Sequence, residues 1–92
     1  MNLSTQYSIP KTVMLQVIDD EVLLFNSENG NFFALNDIGA GIWEVMLDYT
    51  TLEEVFNELT QYIDISPNKL KDDLFLFCES LSNQELIVCH DK

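Results

Sequence analysis

The N-terminal part of the chain contains three short runs of β-branched and large apolar residues, separated by turn-forming sequences. Asp19 and Asp20 separate the first two runs, and Asn29 and Gly30 form a pair that permits positive φ angles before the third. Short strands joined by tight turns are typical of an antiparallel meander. The pattern therefore predicts a three-stranded antiparallel sheet. Its strands are expected at 13–18 (VMLQVI), 21–25 (EVLLF) and 31–35 (NFFAL).

After the third run, the apolar residues recur at intervals of three and four, which is typical of an amphipathic helix. Asn36 or Asp37 is a suitable N-cap, because its short polar side chain accepts a hydrogen bond from a free backbone amide. Gly39 and Gly41 each weaken such a helix by roughly 0.5–1 kcal/mol relative to alanine, which indicates close packing there. The residues expected to face the core are Ile38, Ile42, Val45 and Tyr49, with Trp43 and Met46 beside them.

Two further helices have clear N-terminal signals. Thr51 and Glu54 match a capping box, in which each side chain accepts from a backbone amide at the helix start. Ser66 is a suitable cap for the third helix, with Pro67 at its first position. A last apolar run at 85–88 predicts a short closing strand. The apolar stripe expected on the third helix consists of Leu70, Leu74, Phe77, Cys78 and Leu81.

Phe75 and Leu76 lie outside this stripe, one on each side of the third helix. The third helix is therefore apolar over more of its circumference than one core contact requires. Two interpretations stay open at this point. Either the helix contacts both the sheet and another helix, or one flank lines a groove for an apolar partner.

The chain has 92 residues, of which 47% are hydrophobic, and this is enough for one globular core. We expect a polar N-terminal arm at 1–11 and one domain at 12–89. The whole pattern predicts an α+β fold of winged helix-turn-helix-like architecture, with a three-stranded antiparallel sheet followed by three helices. No apolar run approaches the roughly 20 residues that span a bilayer, and no secretory signal is visible, so we expect a cytoplasmic protein without a membrane partner.

The sequence contains few candidates for catalytic, metal-binding or phosphate-binding residues. Cys89 and His90 adjoin Asp91 at the end of the chain, whereas a metal site needs about four convergent ligands, so we interpret 89–91 as a plain C-terminal tail. Cys78 falls in an apolar stripe, where a free thiol usually acts as a small hydrophobic group. The three glycines lack the spacing of a phosphate-binding loop. The sequence therefore predicts no catalytic residue, no metal and no cofactor.

The order of three strands and three helices, with the residues at its joints, resembles the PqqD family over about residues 12–88. That family provides precursor-recognition elements in the biosynthesis of ribosomally made peptide natural products. The chain departs from the family pattern at 47–49, where Asp-Gly is common, and at 85–86, where Gly-Leu is common. The matching residues are 22–24 (VLL), 30–36 (GNFFALN), 39–43 (GAGIW), 51–55 (TLEEV), Asp73, Leu74, Phe77, Leu81 and 86–88 (LIV).

The resemblance implies a non-catalytic adaptor that binds the leader of a precursor peptide and presents it to a leader peptidase or another modifying enzyme. The small size further resembles the stand-alone recognition protein of split lasso-peptide systems. By resemblance, the leader would add as a strand between the third strand and the third helix. The residues expected to bind it are Phe32, Phe33, Ala34 and Leu35 on the strand, and Leu70, Asp73, Leu76 and Phe77 on the helix.

The sequence leaves several points open. Phe32 and Phe33 point to opposite faces of a strand, so one is accessible and the other is in the core, but the sequence does not decide which. The alternative function is a structural or oligomerisation subunit, with a homodimer as one form. A DNA-binding winged helix is disfavoured, because the formal charge is -12. On the third helix, Lys69 and Lys71 are opposed by three carboxylates, those of Asp72, Asp73 and Glu79.

Overall fold

The computed structural model describes residues 1–90, and it shows the predicted α+β fold of winged helix-turn-helix-like architecture. Two of its three helices, the first and the third, contact a three-stranded antiparallel sheet, and the second helix packs against both of them. A second sheet consists of two short strands. The elements in chain order are β1 (Gln6–Ser8), β2 (Val13–Ile18), β3 (Glu21–Asn26), β4 (Phe32–Leu35), α1 (Asp37–Met46), α2 (Leu52–Leu59), α3 (Pro67–Asn83) and β5 (Val88–His90).

The main sheet has the order β2-β3-β4, as the three apolar runs predict. Asp19 and Asp20 turn the chain between β2 and β3 with φ angles of 50° and 67°. Positive φ at both central residues matches the twist of a two-residue hairpin turn, which explains why short polar residues stand there. Gly30, with φ of 78°, turns the chain before β4.

The second sheet was only partly predicted. β1 lies within the expected N-terminal arm and pairs antiparallel with β5, so Tyr7 is opposite Cys89. The closing strand is β5 rather than 85–88, because Leu86 and Ile87 are both buried in the core and do not alternate as strand residues would.

The prediction of a plain C-terminal tail is therefore wrong for Cys89 and His90, which belong to β5. His90 Nε2 lies 3.2 Å from Ser8 Oγ on the neighbouring strand. Asp91, the third residue of that predicted tail, lies outside the described residues.

Tyr7 joins β1 to the helices. Its hydroxyl donates to the carbonyl of Met46 at 2.7 Å, and its backbone amide donates to the carbonyl of Thr50 at 3.0 Å. The ring is buried, and desolvation by burial raises the pKa of the Tyr7 phenol far above its ordinary value. The N-terminal arm is therefore part of the packed structure.

The three predicted helix caps are all present. Asn36, rather than Asp37, caps α1 by accepting from the Gly39 amide at 2.7 Å. Thr51 and Glu54 form the complete capping box of α2. Ser66 caps α3 and Pro67 occupies its first turn.

The predicted core residues of α1 are confirmed except for Ile38, which is 63% exposed. Ile42, Trp43 and Met46 are buried, and Val45 and Tyr49 are partly buried against the core. Gly39 faces inward in place of its neighbour Ile38. The reason is close packing, because a Cβ at Gly39 would lie 3.3 Å from Phe77 Cε1 and 3.4 Å from Leu35 Cδ2. A glycine lets these two side chains approach the backbone, and the helix turns this face inward.

The core lies between the sheet and the helices. Leu24 of β3 is fully buried beneath them, and α3 contributes the buried residues of its predicted stripe. Phe77 is the exception, because it is half-buried at the edge of that stripe. Within residues 1–90, no helix is long and apolar enough to cross a membrane. The buried residues of α3 are Leu70, Leu74, Cys78 and Leu81.

Candidate functional site

β4 is an edge strand, because among residues 1–90 it pairs with β3 alone. The Asn26 amide donates to the Asn31 carbonyl at 2.9 Å, which fixes the phase of the hydrogen-bond ladder. Along a strand of an antiparallel pair, the backbone N–H and C=O groups of one residue bond to the neighbouring strand, and those of the next residue point away from it. The backbone N–H and C=O groups of Phe32 and Ala34 therefore point away from β3. These four groups form a free backbone edge.

A groove lies beside this edge, and we call it the β4–α3 groove. It contains a cavity of about 200 Å³ between β4, the start of α1 and α3. This volume is several times the roughly 30 Å³ that one water molecule occupies in the liquid, so it has room for a side chain. The cavity is lined by Phe33, Ala34, Leu35, Asn36, Gly39 and Phe77.

The structure decides between the two phenylalanines of β4. Phe32 is 64% exposed and lies with Ala34 on the outer face of the sheet. Phe33 is half-buried on the inner face, where its ring meets the ring of Phe77 on α3, and Leu35 is buried on that same face. Phe33 therefore lines the groove, and Phe32 is the accessible aromatic residue beside it.

Of the residues expected on the α3 side, Phe77 lines the cavity, whereas Asp73 and Leu76 lie beside it on the helix and do not line it. Leu76 and Phe77 follow Asp73 by three and four residues, so each of them adjoins Asp73 on the helix surface. Leu76 is 64% exposed, and Asp73 is half-buried with its carboxylate 3.6 Å from Lys69 Nζ. A solvent-accessible ion pair of this kind stabilises the fold by only about 0–1 kcal/mol, so the carboxylate is available to pair with another cation.

Leu70 does not form part of the wall surface. Only 1% of its surface is exposed, because it lies near the middle of the buried stripe of α3, whereas Asp73 and Phe77 lie at the edge of that stripe. Of the eight residues expected at the site, Leu70 is thus a packing residue behind the groove. Leu35 is also buried, although it lines the cavity.

Asparagine side chains tie the turn before β4 to the end of α3. Asn31 Nδ2 donates to the Gln84 carbonyl at 3.0 Å, and Asn26 Nδ2 donates to the Glu85 carbonyl at 2.9 Å. Asn29 Nδ2 donates to Glu85 Oε2 at 2.7 Å. These contacts hold the end of α3 against the start of β4. The sequence pattern did not predict these contacts, although three asparagines around one turn are a visible signal.

Cys78, in the interior behind the groove, is not an activated nucleophile. Cys78 is fully buried, and its desolvation, with a smaller effect of Cys89, raises the pKa of its thiol to about 12. The thiol therefore stays protonated at neutral pH and acts as a small apolar group. In the described part of the chain, no group of three or more His, Cys, Asp or Glu side chains is placed to hold a metal ion.

These features define a class: a small winged helix-turn-helix-like domain with an open strand edge beside a helix. The family model for coenzyme PQQ synthesis protein D (PqqD) matches residues 21–87, and the chain belongs to this family. No curated protein matches the sequence.

Two solved structures have the same fold. The first, described as TbiB1 in complex with the TbiA(beta) leader peptide, has 27% sequence identity and a TM-score of 0.78 over 92% of this chain and 99% of that chain. The second, described as lasso peptide synthetase B1 complexed with the leader peptide, has 20% identity and a TM-score of 0.74 over 89% of this chain and 96% of that chain.

Proposed function

We propose that this protein is a non-catalytic adaptor that binds the leader of a ribosomally made precursor peptide and presents it to a leader peptidase or another modifying enzyme. The observation that carries the proposal is the free edge of β4 beside α3. It occurs in a fold whose similar structures were solved with leader peptides.

The leader would bind as an additional strand along β4. Phe32 and Ala34 supply two N–H donors and two C=O acceptors that point away from β3, and an extended peptide satisfies such groups. Main-chain bonds of this type are largely independent of sequence, so they provide affinity without selectivity.

The side chains of the groove would provide the selectivity. An extended peptide directs alternate side chains to opposite faces, so every second residue would point toward the cavity between Phe33 and Phe77. We expect an aliphatic or aromatic leader residue there, because buried apolar anchors contribute most to peptide affinity. Asp73, at the exposed rim, would favour a basic residue nearby.

The other free edge of the sheet is a weaker candidate. The Ser27 amide donates to the Thr12 carbonyl, so the even-numbered residues of β2 bond to β3 and the odd-numbered ones do not. The backbone N–H and C=O groups of Val17 therefore point away from the sheet. Val17 is 65% exposed, and the neighbouring β2 residues Gln16 and Ile18 are exposed too. An edge that is exposed on both faces offers backbone bonds but little apolar burial, whereas the β4 edge offers both.

The proposal is tested by fluorescence polarisation with a labelled leader of the cognate precursor. Ala34→Pro removes one outward N–H without removing a bond to β3, since proline is tolerated where the amide points away from the sheet. We expect it to weaken binding about tenfold. Val17→Pro removes an outward amide from the opposite edge and should leave binding unchanged. Absence of saturable binding to the wild-type protein at micromolar concentration would refute the proposal.

A second candidate function is a structural or oligomerisation subunit. It is favoured by the outer face of the main sheet, where Met14, Ile18 and Phe32 are exposed. Large exposed apolar patches often mark interaction surfaces. Sedimentation equilibrium at several concentrations separates the candidates, because a monomer that binds the leader supports the adaptor, and a dimer that does not bind it supports the structural subunit.

A further inference from the structure

Gly41 is a glycine that the chain's own packing does not require. A Cβ placed there would have no heavy atom within 4 Å, whereas a Cβ at Gly39 would contact Asn36, Phe77 and Leu35. Glycine weakens the interior of a helix relative to alanine. The structure therefore explains Gly39 by internal contact but leaves Gly41 facing open space in the middle of α1.

Gly41 lies between two apolar hollows, and we call the combined surface the Gly41 saddle. On one side, a cavity of about 440 Å³ separates α1 from the end of α2 and is lined by Ile38, Leu59 and Tyr62 among others. On the other side, a cavity of about 370 Å³ reaches the β2–β3 hairpin at Leu15 and Val22. Because Gly41 has no side chain, the ridge between the two hollows is low.

The saddle is apolar in its floor and negative at its edges. Ile38 is 63% and Tyr62 is 73% exposed, and both line the same hollow, so they form one contiguous apolar patch. Asp37 and Glu44 are both exposed, lie four residues before and three after Gly41, and line both hollows. A complementary surface would thus present apolar side chains beside lysine or arginine.

We propose that the Gly41 saddle docks a segment of the enzyme that receives the bound leader, through an apolar side chain flanked by a lysine or an arginine. This inference rests on the proposed function, since an adaptor that presents a peptide needs a second surface for the recipient. A second copy of this chain is a poor occupant, because two molecules with a formal charge of -12 each would bring like charges together at the acidic edges.

The two surfaces lie on opposite sides of one helix. Successive helical residues differ by about 100°, so Gly39 and Gly41 point roughly 200° apart. Gly39 faces Phe77 and the β4–α3 groove, and Gly41 faces the saddle. The leader and the recipient enzyme can therefore occupy α1 at the same time without overlapping.

The experiment uses the full-length protein, the labelled leader and, as the probe, the purified leader peptidase encoded with the same precursor. Gly41→Leu fills the saddle, and Glu44→Lys reverses one edge charge. Each should weaken peptidase binding about tenfold while changing leader affinity by less than about twofold. Asn57→Leu on α2 introduces the same leucine, and Glu79→Lys on α3 makes the same charge reversal, at exposed positions elsewhere, and both should leave the two affinities unchanged.

The outcomes separate the saddle from the proposed function. Loss of peptidase binding with intact leader binding supports the saddle. Wild-type affinity for the peptidase in both variants overturns it, and so does a wild-type protein that binds the leader but not the peptidase. A change in self-association by sedimentation, with unchanged peptidase affinity, overturns it in favour of a second copy. If the wild-type protein does not bind the leader, the proposed adaptor function is refuted. The comparison of peptidase binding between wild type and the two variants still tests whether the saddle is a docking site.

Discussion

Phe33 on β4 and Phe77 on α3 meet edge to face, with ring centroids 6.2 Å apart and an angle of 79° between the ring planes. Aromatic pairs in this geometry stabilise a fold by about 0.5–1.5 kcal/mol beyond the area they bury. The pair joins the strand to the helix on which the proposed binding site depends. The same contact therefore contributes both to folding and to the shape of the groove.

Phe77→Ala should affect stability and leader binding together. It removes the ring contact and enlarges the groove, and because Phe77 is only half-buried we expect a loss of about 2 kcal/mol in the free energy of unfolding, below the value for a fully buried ring. Urea denaturation and fluorescence polarisation measure the two effects. Phe75→Ala, on the opposite flank of α3, should lower stability similarly without weakening leader binding. Equal losses of leader affinity in both variants would contradict the assignment of the groove.

The two glycines of α1 should respond in opposite directions to alanine. Gly41→Ala adds a methyl group in open space, so we expect a gain of about 0.5–1 kcal/mol in the free energy of unfolding. Gly39→Ala places a methyl group 3.2–3.4 Å from three neighbouring atoms, one of them on Phe77, and we expect overpacking to cancel or reverse the gain. Thermal and urea denaturation of both variants provide the test, and equal stabilisation would show that Gly39 is not closely packed.

Tyr7→Phe should be destabilising, although it removes only one hydroxyl group. The hydroxyl of Tyr7 donates to the buried Met46 carbonyl, and without it that acceptor loses a partner at a cost of about 1–3 kcal/mol. Tyr62→Phe is the matched control, because Tyr62 is 73% exposed. A Tyr7 variant as stable as the Tyr62 variant in urea would show that the contact between β1 and α1 does not stabilise the fold.

The capping box of α2 should make stability depend on acid pH. The hydrogen bond from the Thr51 side chain is the main cause that holds the pKa of Glu54 below its ordinary value of 4.5. A lowered pKa in the folded state stabilises the protein above the unfolded value, and this contribution is lost as the pH falls through the folded value. The difference in free energy of unfolding between wild type and Glu54→Gln should therefore shrink below about pH 4.5.

The Thr51→Ala background provides the control for that titration. Without the Thr51 hydroxyl the main cause of the lowered pKa is gone, so the effect of Glu54→Gln should depend less on pH. If the effect of Glu54→Gln on the free energy of unfolding had the same pH dependence in this background, other contacts of the Glu54 carboxylate would be its cause.

Local signals predicted most of the fold. The strands of the main sheet, the turn at Asp19 and the three helix caps each depend on residues within a few positions, and the structure confirms them. The pairing of β1 with β5 was missed, because each strand has three residues and its partner is more than 70 positions away. Such short strands show no clear alternation.

The features that the sequence did not predict depend on distant contacts. Ile38 has the spacing of a core residue, but the close approach of Phe77 to Gly39 leaves Ile38 on the exposed side of α1. The same docking of α3 decides that Phe33 rather than Phe32 faces the helix. Leu70 was placed on the groove wall because its helical position adjoins that flank, and only its burial in the packed core separates it from Phe77.

The hydrogen bond from Asn31 to Gln84 attaches the residue before β4 to the end of α3. β4 itself has four residues, which span roughly 13 Å at 3.3 Å per residue. A peptide that pairs along β4 would therefore form a new ladder of about four residues. The rest of a longer precursor would contribute to recognition only through contacts beyond this strand.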